Sequence, residues 1–168
     1  MDDYYSQIAP GYDELHGREQ DAKLRELLAR VTLREHATVL DVGCATGRSA
    51  AFLPDALWHG VEPSAGLVAR ATPSVRARIL TGRAESLPFG EASFDVVLCV
   101  TVLQNVDDAT RAMDEMRRVL KPRGILLVSF LRKAAQREAF DRLLRERFAV
   151  RESWEFAQDT CYVCVRQE

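Results

Sequence analysis

The amino-acid sequence predicts an α/β fold: a three-layer, doubly wound and mostly parallel seven-stranded sheet that ends in a C-terminal antiparallel hairpin. Three observations lead to this prediction. Short runs of apolar and β-branched residues alternate with amphipathic segments through most of the chain. A turn of small residues follows the first predicted strand, and a carboxylate ends the second. Two further strand patterns, joined by a short turn, lie at the C-terminus.

The elements follow from hydrophobic periodicity. An i, i+3, i+4, i+7 pattern predicts a first helix over roughly residues 18–31, with the stripe Leu24, Leu27, Leu28 and Val31. Strands are expected at about 38–42, 57–62, 77–81, 94–100 and 124–131, separated by helical stretches. Two later helices are marked by the stripes Ala109, Ala112, Met113, Met116, Val119, Leu120 and Phe140, Leu143, Leu144. The tail predicts strands at about 149–156 and 160–166.

Length and composition limit the possible classes. The 168 residues suit one domain, residues 1–168, and 47% apolar with 29% charged residues is typical of a globular protein. A net charge of -2 makes nucleic acid an unlikely partner, and glutamates interrupt the arginines between 132 and 151. No apolar run is long enough for a membrane span, and the acidic N-terminus is unlike a signal peptide, so a cytoplasmic location is expected.

The four cysteines do not predict a metal site. Cys161 and Cys164 lie three apart in a predicted strand, so their side chains should point to opposite faces. Cys44 is in the small-residue turn, and Cys99 ends a predicted buried strand. We therefore expect reduced, packed thiols and no bound metal.

The most informative segment is the turn after the first strand. Gly43, Ala45 and Gly47 give a G-x-(G/A)-x-G rhythm, and Glu62 ends the next strand 21 residues after Asp41. A dinucleotide fingerprint would place its third glycine where Arg48 stands, and the glycine-lysine-serine/threonine ending of a triphosphate loop is missing. The pattern indicates an adenosine-containing cofactor other than a dinucleotide.

The stretch 39–48 resembles motif I of the class I S-adenosylmethionine (SAM) dependent methyltransferases. Residues 82–99 and 117–128 resemble the adenine-flanking loop, fourth strand and helix-to-strand corner of the small-molecule (type 11) branch. The resemblance implies SAM as cofactor, S-adenosylhomocysteine as product, and Glu62 as the acceptor of hydrogen bonds from both ribose hydroxyls. It implies a cofactor site formed by Asp41, Gly43, Cys44, Ala45, Gly47, Glu62, Pro63, Ser64, Ala84, Glu85, Cys99, Val100, Gln104 and Tyr12.

Two positions depart from the family pattern. Ala45 replaces the middle glycine, which we expect to be tolerated only with a negative φ, because a Cβ is penalised at positive φ. Arg83 stands where the family often has an aspartate for the adenine amino group, and arginine cannot accept a hydrogen bond. We expect Glu85 or a backbone carbonyl to take this role.

The sequence offers few general bases. His16 is the candidate, because the resemblance implies that residues 1–17 form a lid over the cofactor; a surface histidine is the competing interpretation. Structural roles are expected for His36 and His59, and Tyr4, Tyr5 and Tyr12 either contact ligands or pack the lid. Gln104 and Asn105 stand where relatives often carry histidines.

These features predict methyl transfer from SAM to an unidentified acceptor, with a small metabolite preferred over a protein side chain. The alternative is a SAM-binding regulatory or scaffold subunit without catalysis. Only a short connection follows the fifth strand, where larger relatives insert substrate-covering elements. We therefore expect the acceptor side to be covered by the N-terminal segment, by a second copy in a homodimer, or by a macromolecular substrate.

Overall fold

A computed structural model describes residues 2–168, and the side chains from residue 4 onward. Within this part of the chain seven strands form one sheet in the order β3-β2-β1-β4-β5-β7-β6. The strands are β1 (Thr38–Val42), β2 (Leu57–Glu62), β3 (Ile79–Thr81), β4 (Phe94–Val100), β5 (Leu120–Leu131), β6 (Ala149–Phe156) and β7 (Asp159–Val165). The first five are parallel, whereas β7 pairs antiparallel with both β5 and β6. The predicted doubly wound sheet with a terminal hairpin is confirmed.

Helices cover both faces of this sheet. They are α1 (Asp2–Ile8), α2 (Tyr12–Leu28), α3 (Ala65–Arg70), α4 (Pro73–Arg76), α5 (Ala109–Val119) and α6 (Arg137–Arg147). Three 3₁₀ turns lie at Ala9–Gly11, Arg48–Phe52 and Leu103–Asn105. Leu24 and Leu27 of α2 pack with Trp58 on one face, whereas α5 and α6 bury apolar stripes against the other. The result is the predicted three-layer arrangement.

The predicted bounds of two elements and one predicted helical stretch were wrong. The first helix begins at Tyr12 and ends at Leu28, because its first turns are polar and lack the apolar stripe from which periodicity was read. Strand β5 begins at Leu120 instead of 124, since Leu120 pairs with Phe94 ahead of a register shift. No helix lies between β3 and β4, where glycines and a proline interrupt the segment 82–93.

The N-terminal segment packs on the carboxyl edge of the sheet. Helix α1 contacts α3, and the Ser6 and Ser64 hydroxyls are 3.2 Å apart. A Cβ on Gly66 would lie 2.9 Å from the Ser6 Cα, so glycine is needed for this close approach. The segment therefore lies over the end of β2, where the predicted cofactor acid stands.

The cysteines lie inside the protein, and Cys161 and Cys164 point to opposite sides of β7 as predicted. Cys44, Cys99, Cys161 and Cys164 are all buried free thiols. Among the described residues, no group of three or more His, Cys, Asp or Glu side chains could hold a metal ion. None of the helices in residues 2–168 has the length and apolar character needed to cross a membrane.

Candidate functional site

A crevice lies at the carboxyl ends of β1, β2 and β4. Strand β1 is flanked by β2 on one side and β4 on the other, so the chain runs in opposite directions across the sheet from this point. Ligands of open α/β sheets bind at such a switch in strand order. The predicted motifs converge here, and the N-terminal segment covers them with Tyr5, Tyr12 and Gln20.

The turn after β1 forms the floor of the crevice. Gly43 has φ +72, and a Cβ added there would lie 2.5 Å from a Val102 methyl group. Gly47 has φ +77, but it faces Val75 at 2.4 Å from a built Cβ and does not line the crevice. The first glycine thus brings backbone to the cavity, and the second allows close packing behind it.

Ala45 corrects an expectation, because its φ is +50 and not negative. Its backbone N–H donates a 2.9 Å hydrogen bond to Oε2 of Glu62, which ties the alanine to the end of β2. This contact between neighbouring parallel strands holds Ala45 in the left-handed region despite its Cβ. The small-residue rhythm of the motif is therefore kept at the cost of local strain.

Glu62 is the acid of the site. Its side chain is buried at the cavity wall, where Oε1 also accepts a 2.9 Å hydrogen bond from the Ser64 N–H. Ser64 in turn caps α3 by accepting from the Leu67 N–H. Two backbone donors thereby fix the orientation of the carboxylate, while Pro63 lies beside it in the cavity lining. An acceptor-only group held in this way suits a ligand with paired hydroxyls.

Asp41 lies behind the turn in a smaller recess that Cys44, Ala45 and Tyr12 also line. The Ser49 hydroxyl donates to Asp41 Oδ2, and the Trp58 indole donates to Ser49 at 2.8 Å. Burial, with a further contribution from Glu62, raises the pKa of Asp41 to about 7 against the opposing effect of the Ser49 hydrogen bond. A buried acid that titrates near neutrality is typical of functional sites.

The loop after β3 lines the crevice with Ala84 and Glu85. Burial works to raise the pKa of Glu85, but hydrogen bonds from the backbone N–H groups of Glu85, Asp107 and Asp108 outweigh it and lower that pKa. Arg83 pairs with Asp107 at 2.6 Å and with Glu85 at 3.6 Å. Glu85 thus stands where an adenine acceptor was expected, and it also joins this loop to the start of α5.

Two tyrosines form the roof. Burial raises the pKa of Tyr5, and it raises the pKa of Tyr12 more strongly, so both phenols stay protonated at neutral pH. The Asn105 amide donates to the Tyr5 oxygen at 2.9 Å. Tyr4 is 58% exposed and packs edge-to-face on Tyr5.

The wall after β4 differs in part from the sequence prediction. Val100 lines the crevice, but Cys99 is fully buried in the core on the α5 side. Gln104 donates its amide to the Thr101 carbonyl at 2.7 Å and does not line the crevice. Thr101 and Val102 are lining residues that the sequence motifs did not indicate, and Thr101 has φ +59. No sequence signal marks a threonine for a left-handed conformation.

None of the histidines lines the crevice. His16 lies in α2 with its ring 5.1 Å from that of Tyr12, not in a separate lid segment. His59 packs against Phe89 and Phe94, and His36 is exposed in the turn before β1. The titratable side chains that line the crevice are Tyr5, Tyr12, Glu62, Arg83 and Glu85. A histidine base is therefore not part of this arrangement.

Comparisons with known proteins agree with the fold and identify the family. A family model described as a methyltransferase domain matches residues 40–128. The chain is 39% identical to malonyl-[acyl-carrier protein] O-methyltransferase of Herminiimonas arsenicoxydans, over 80% of this chain and 52% of that protein. It is 34% identical to demethylmenaquinone methyltransferase of a Roseiflexus species, over 70% of this chain and 54% of that protein. The chain thus spans about half the length of these curated relatives.

Among solved structures, the chain superposes on one from a complex between the Haloferax volcanii Trm112 methyltransferase activator and a methyltransferase. The TM-score is 0.83 at 19% identity, with 98% of each chain covered. At this identity the likeness concerns the fold alone. The fold, the glycine turn joined to Glu62, and the family match over residues 40–128 lead to one conclusion. The chain belongs to the methyltransferase domain family, in the type 11 branch of the class I SAM-dependent methyltransferases.

Proposed function

We propose that this chain transfers the methyl group of SAM to a small-molecule acceptor in the crevice beneath Tyr5 and Tyr12. The observation that carries the proposal is the Glu62 carboxylate, which the Ala45 and Ser64 N–H groups orient at the cavity wall. The oriented carboxylate fits the cofactor, since its two acceptor oxygens complement the two hydroxyls of a ribose. Bound SAM would supply an electrophilic methyl group on a sulfonium whose leaving group is a neutral thioether.

The residues that would hold the cofactor form three groups around the crevice. Glu62 with Pro63 would take the ribose, Ala84 with Glu85 the adenine side, and the turn with Gly43 the methionine side. Asp41, Cys44 and Tyr12 surround the recess next to that turn. Three of the expected site residues would support the lining residues without touching the cofactor, because they do not line the crevice: Gly47, Cys99 and Gln104.

The side chains that line the crevice limit the chemical class of the methyl acceptor. Tyr5 and Tyr12 are protonated donors, and both carboxylates that line the cavity accept backbone hydrogen bonds. We infer that the acceptor is already nucleophilic at neutral pH, as a carboxylate or another ionised group is, because methyl transfer then requires positioning alone. Relatives named for malonyl-[acyl-carrier protein] and demethylmenaquinone support a metabolite acceptor over a protein side chain.

The roof is proposed to move when ligands enter. Residues 1–17 include α1 and the 3₁₀ turn Ala9–Gly11, but α2 already begins at Tyr12, and Met1 lies outside the described residues. We therefore assign the moving lid to the described residues 2–11, with Pro10 and Gly11 before α2 as the hinge. Because the N-terminal segment covers the crevice, we propose that residues 1–168 act as a single domain and that a second copy of the chain is not needed to close the crevice.

We further propose a cytoplasmic location, which the four buried free thiols support.

Calorimetry with SAM, S-adenosylhomocysteine and NAD tests the cofactor. We expect micromolar binding of the first two, and an NAD affinity equal to that of SAM would refute the proposal. Release of S-adenosylhomocysteine with panels of carboxylates, phenols and amines then tests the acceptor. A chain that binds SAM and methylates none of these compounds would favour the alternative, a non-catalytic SAM-binding subunit.

A further inference from the structure

A polar network is buried beneath the crevice and does not include Asp41, Glu62 or Glu85. Lys23 of α2 is 1% exposed, and its Nζ lies 2.9 Å from Asp159 Oδ1, with Glu19 at 2.9 Å on the solvent side. Asp159 begins β7 and is completely buried. Its Oδ2 accepts 2.7 Å hydrogen bonds from the hydroxyls of Thr101 and Ser129. The network thus joins α2, the end of β4, β5 and β7.

Such a pair is an expensive way to stabilise a fold. Removing two charges from water costs more than many buried ion pairs return, and apolar residues of similar volume often stabilise a protein as well or better. The apolar core surrounds this network on the sheet face that carries Leu24, Leu27 and Leu127. We therefore ask which part of the backbone the Lys23–Asp159 pair holds in place.

Thr101, which the pair contacts, has an unusual backbone conformation. It has φ +59, a conformation in which a β-branched residue is a genuine outlier. Every polar group of Thr101 is engaged: the N–H donates to the Ser129 carbonyl at 2.9 Å, and the carbonyl accepts from Gln104 at 2.7 Å. The hydroxyl accepts from Lys23 at 3.1 Å and donates to Asp159. Strained backbone persists only where its surroundings over-determine it.

The conformation of Thr101 sets the crevice wall. Val102, the next residue, presses against the floor so closely that Gly43 has no room for a Cβ. Asn105, in the 3₁₀ turn that follows, holds the oxygen of the roof residue Tyr5. Thr101, Val102 and Asn105 all line the crevice. A change at Thr101 would therefore move wall, floor and roof together.

We propose that the buried Lys23–Asp159 pair is a positioning device, which holds Thr101 in its left-handed conformation and so fixes the wall of the crevice at residues 101–105. The consequence for ligand binding rests on the proposed function, whereas the consequence for the wall does not. Lys23 and Asp159 do not line the crevice, so they act through Thr101.

The test asks whether glycine at position 101 makes the pair dispensable. We expect Lys23→Met with Asp159→Leu to keep the fold, to speed amide exchange of residues 101–106 about tenfold, and to weaken S-adenosylhomocysteine binding by a similar factor. Adding Thr101→Gly to this background should reverse most of both losses, because glycine adopts a positive φ without an anchor. A pair that serves packing alone would gain nothing from this glycine.

Single substitutions keep the test decisive if the double variant does not fold. Thr101→Ser retains the hydroxyl and should keep the slow amide exchange of residues 101–106, whereas Thr101→Val lacks the anchor and should show the fast exchange and weak binding. Wild-type exchange in Thr101→Val or in the double variant would overturn the proposal, as would losses that Thr101→Gly leaves unchanged. A wild-type chain without S-adenosylhomocysteine affinity would refute the proposed function, and amide exchange alone would then decide the positioning role.

Discussion

Replacing Ala45 with glycine should stabilise the protein. The alanine has φ +50, and its Cβ makes this left-handed conformation unfavourable by ~1–2 kcal/mol. Glycine removes this strain but adds freedom to the unfolded chain, which costs ~0.5–1 kcal/mol. The mid-point of the difference is a gain of about 0.75 kcal/mol, within a span of ~0–1.5 kcal/mol, and for a chain of this size it should raise the Tm by about 2–3 °C.

The assay is thermal unfolding followed by circular dichroism, with two matched alanine variants beside it. Ala157, in the turn between β6 and β7, has φ +49 and is exposed, so Ala157→Gly should give a similar gain far from the crevice. Ala50 lies in the 3₁₀ turn Arg48–Phe52, so Ala50→Gly should instead lower the Tm.

The cofactor affinity of the Ala45→Gly variant should stay within about threefold of the wild type, because the N–H that donates to Glu62 is retained. A lower Tm for Ala45→Gly, with the expected gain at Ala157, would refute the reasoning. It would mean that the Ala45 side chain contributes packing that outweighs its backbone strain.

Three further predictions concern the site. Glu62→Ala should weaken S-adenosylhomocysteine binding in calorimetry by at most ~1.5–3 kcal/mol for each ribose hydrogen bond lost, while Glu35→Ala at an exposed position should not weaken it. Burial raises the pKa of Asp41 to about 7, so the folded state keeps a proton that the unfolded state has lost, and stability from this group falls as pH rises from about 4 to 7. The stability of Asp41→Asn relative to the wild type, measured by urea unfolding, should therefore be higher at pH 8 than at pH 5. Deleting residues 1–11 should raise the cofactor off-rate in stopped-flow experiments more than it lowers the Tm; the reverse would make the segment a structural arm.

Most of the fold was predictable because its signals are local. The apolar runs of the parallel strands and the stripes of α5 and α6 are sequence periodicities, and the structure confirms them within a few residues. The cofactor motif was predictable for a related reason, since a turn of small residues and a terminal acid occupy fixed spacings. The start of α2 was not predictable, because its polar first turns carry no periodic apolar stripe.

The parts of the site that escaped prediction depend on contacts between distant residues. Thr101 is 78 residues from Lys23 and 58 from Asp159 in the chain, yet these side chains meet beneath the crevice. Ala45 and Thr101, at the ends of neighbouring strands β1 and β4, both have a positive φ, and both are held by carboxylates from other elements. In each case a hydrogen bond to the carboxylate offsets the strain of a positive φ, which the local sequence does not predict for alanine or threonine. The crevice is thus shaped by two strained residues whose anchors lie elsewhere in the chain. For Thr101, we expect the wall at residues 101–105 to keep its position after loss of the Lys23–Asp159 pair only when glycine removes the strain.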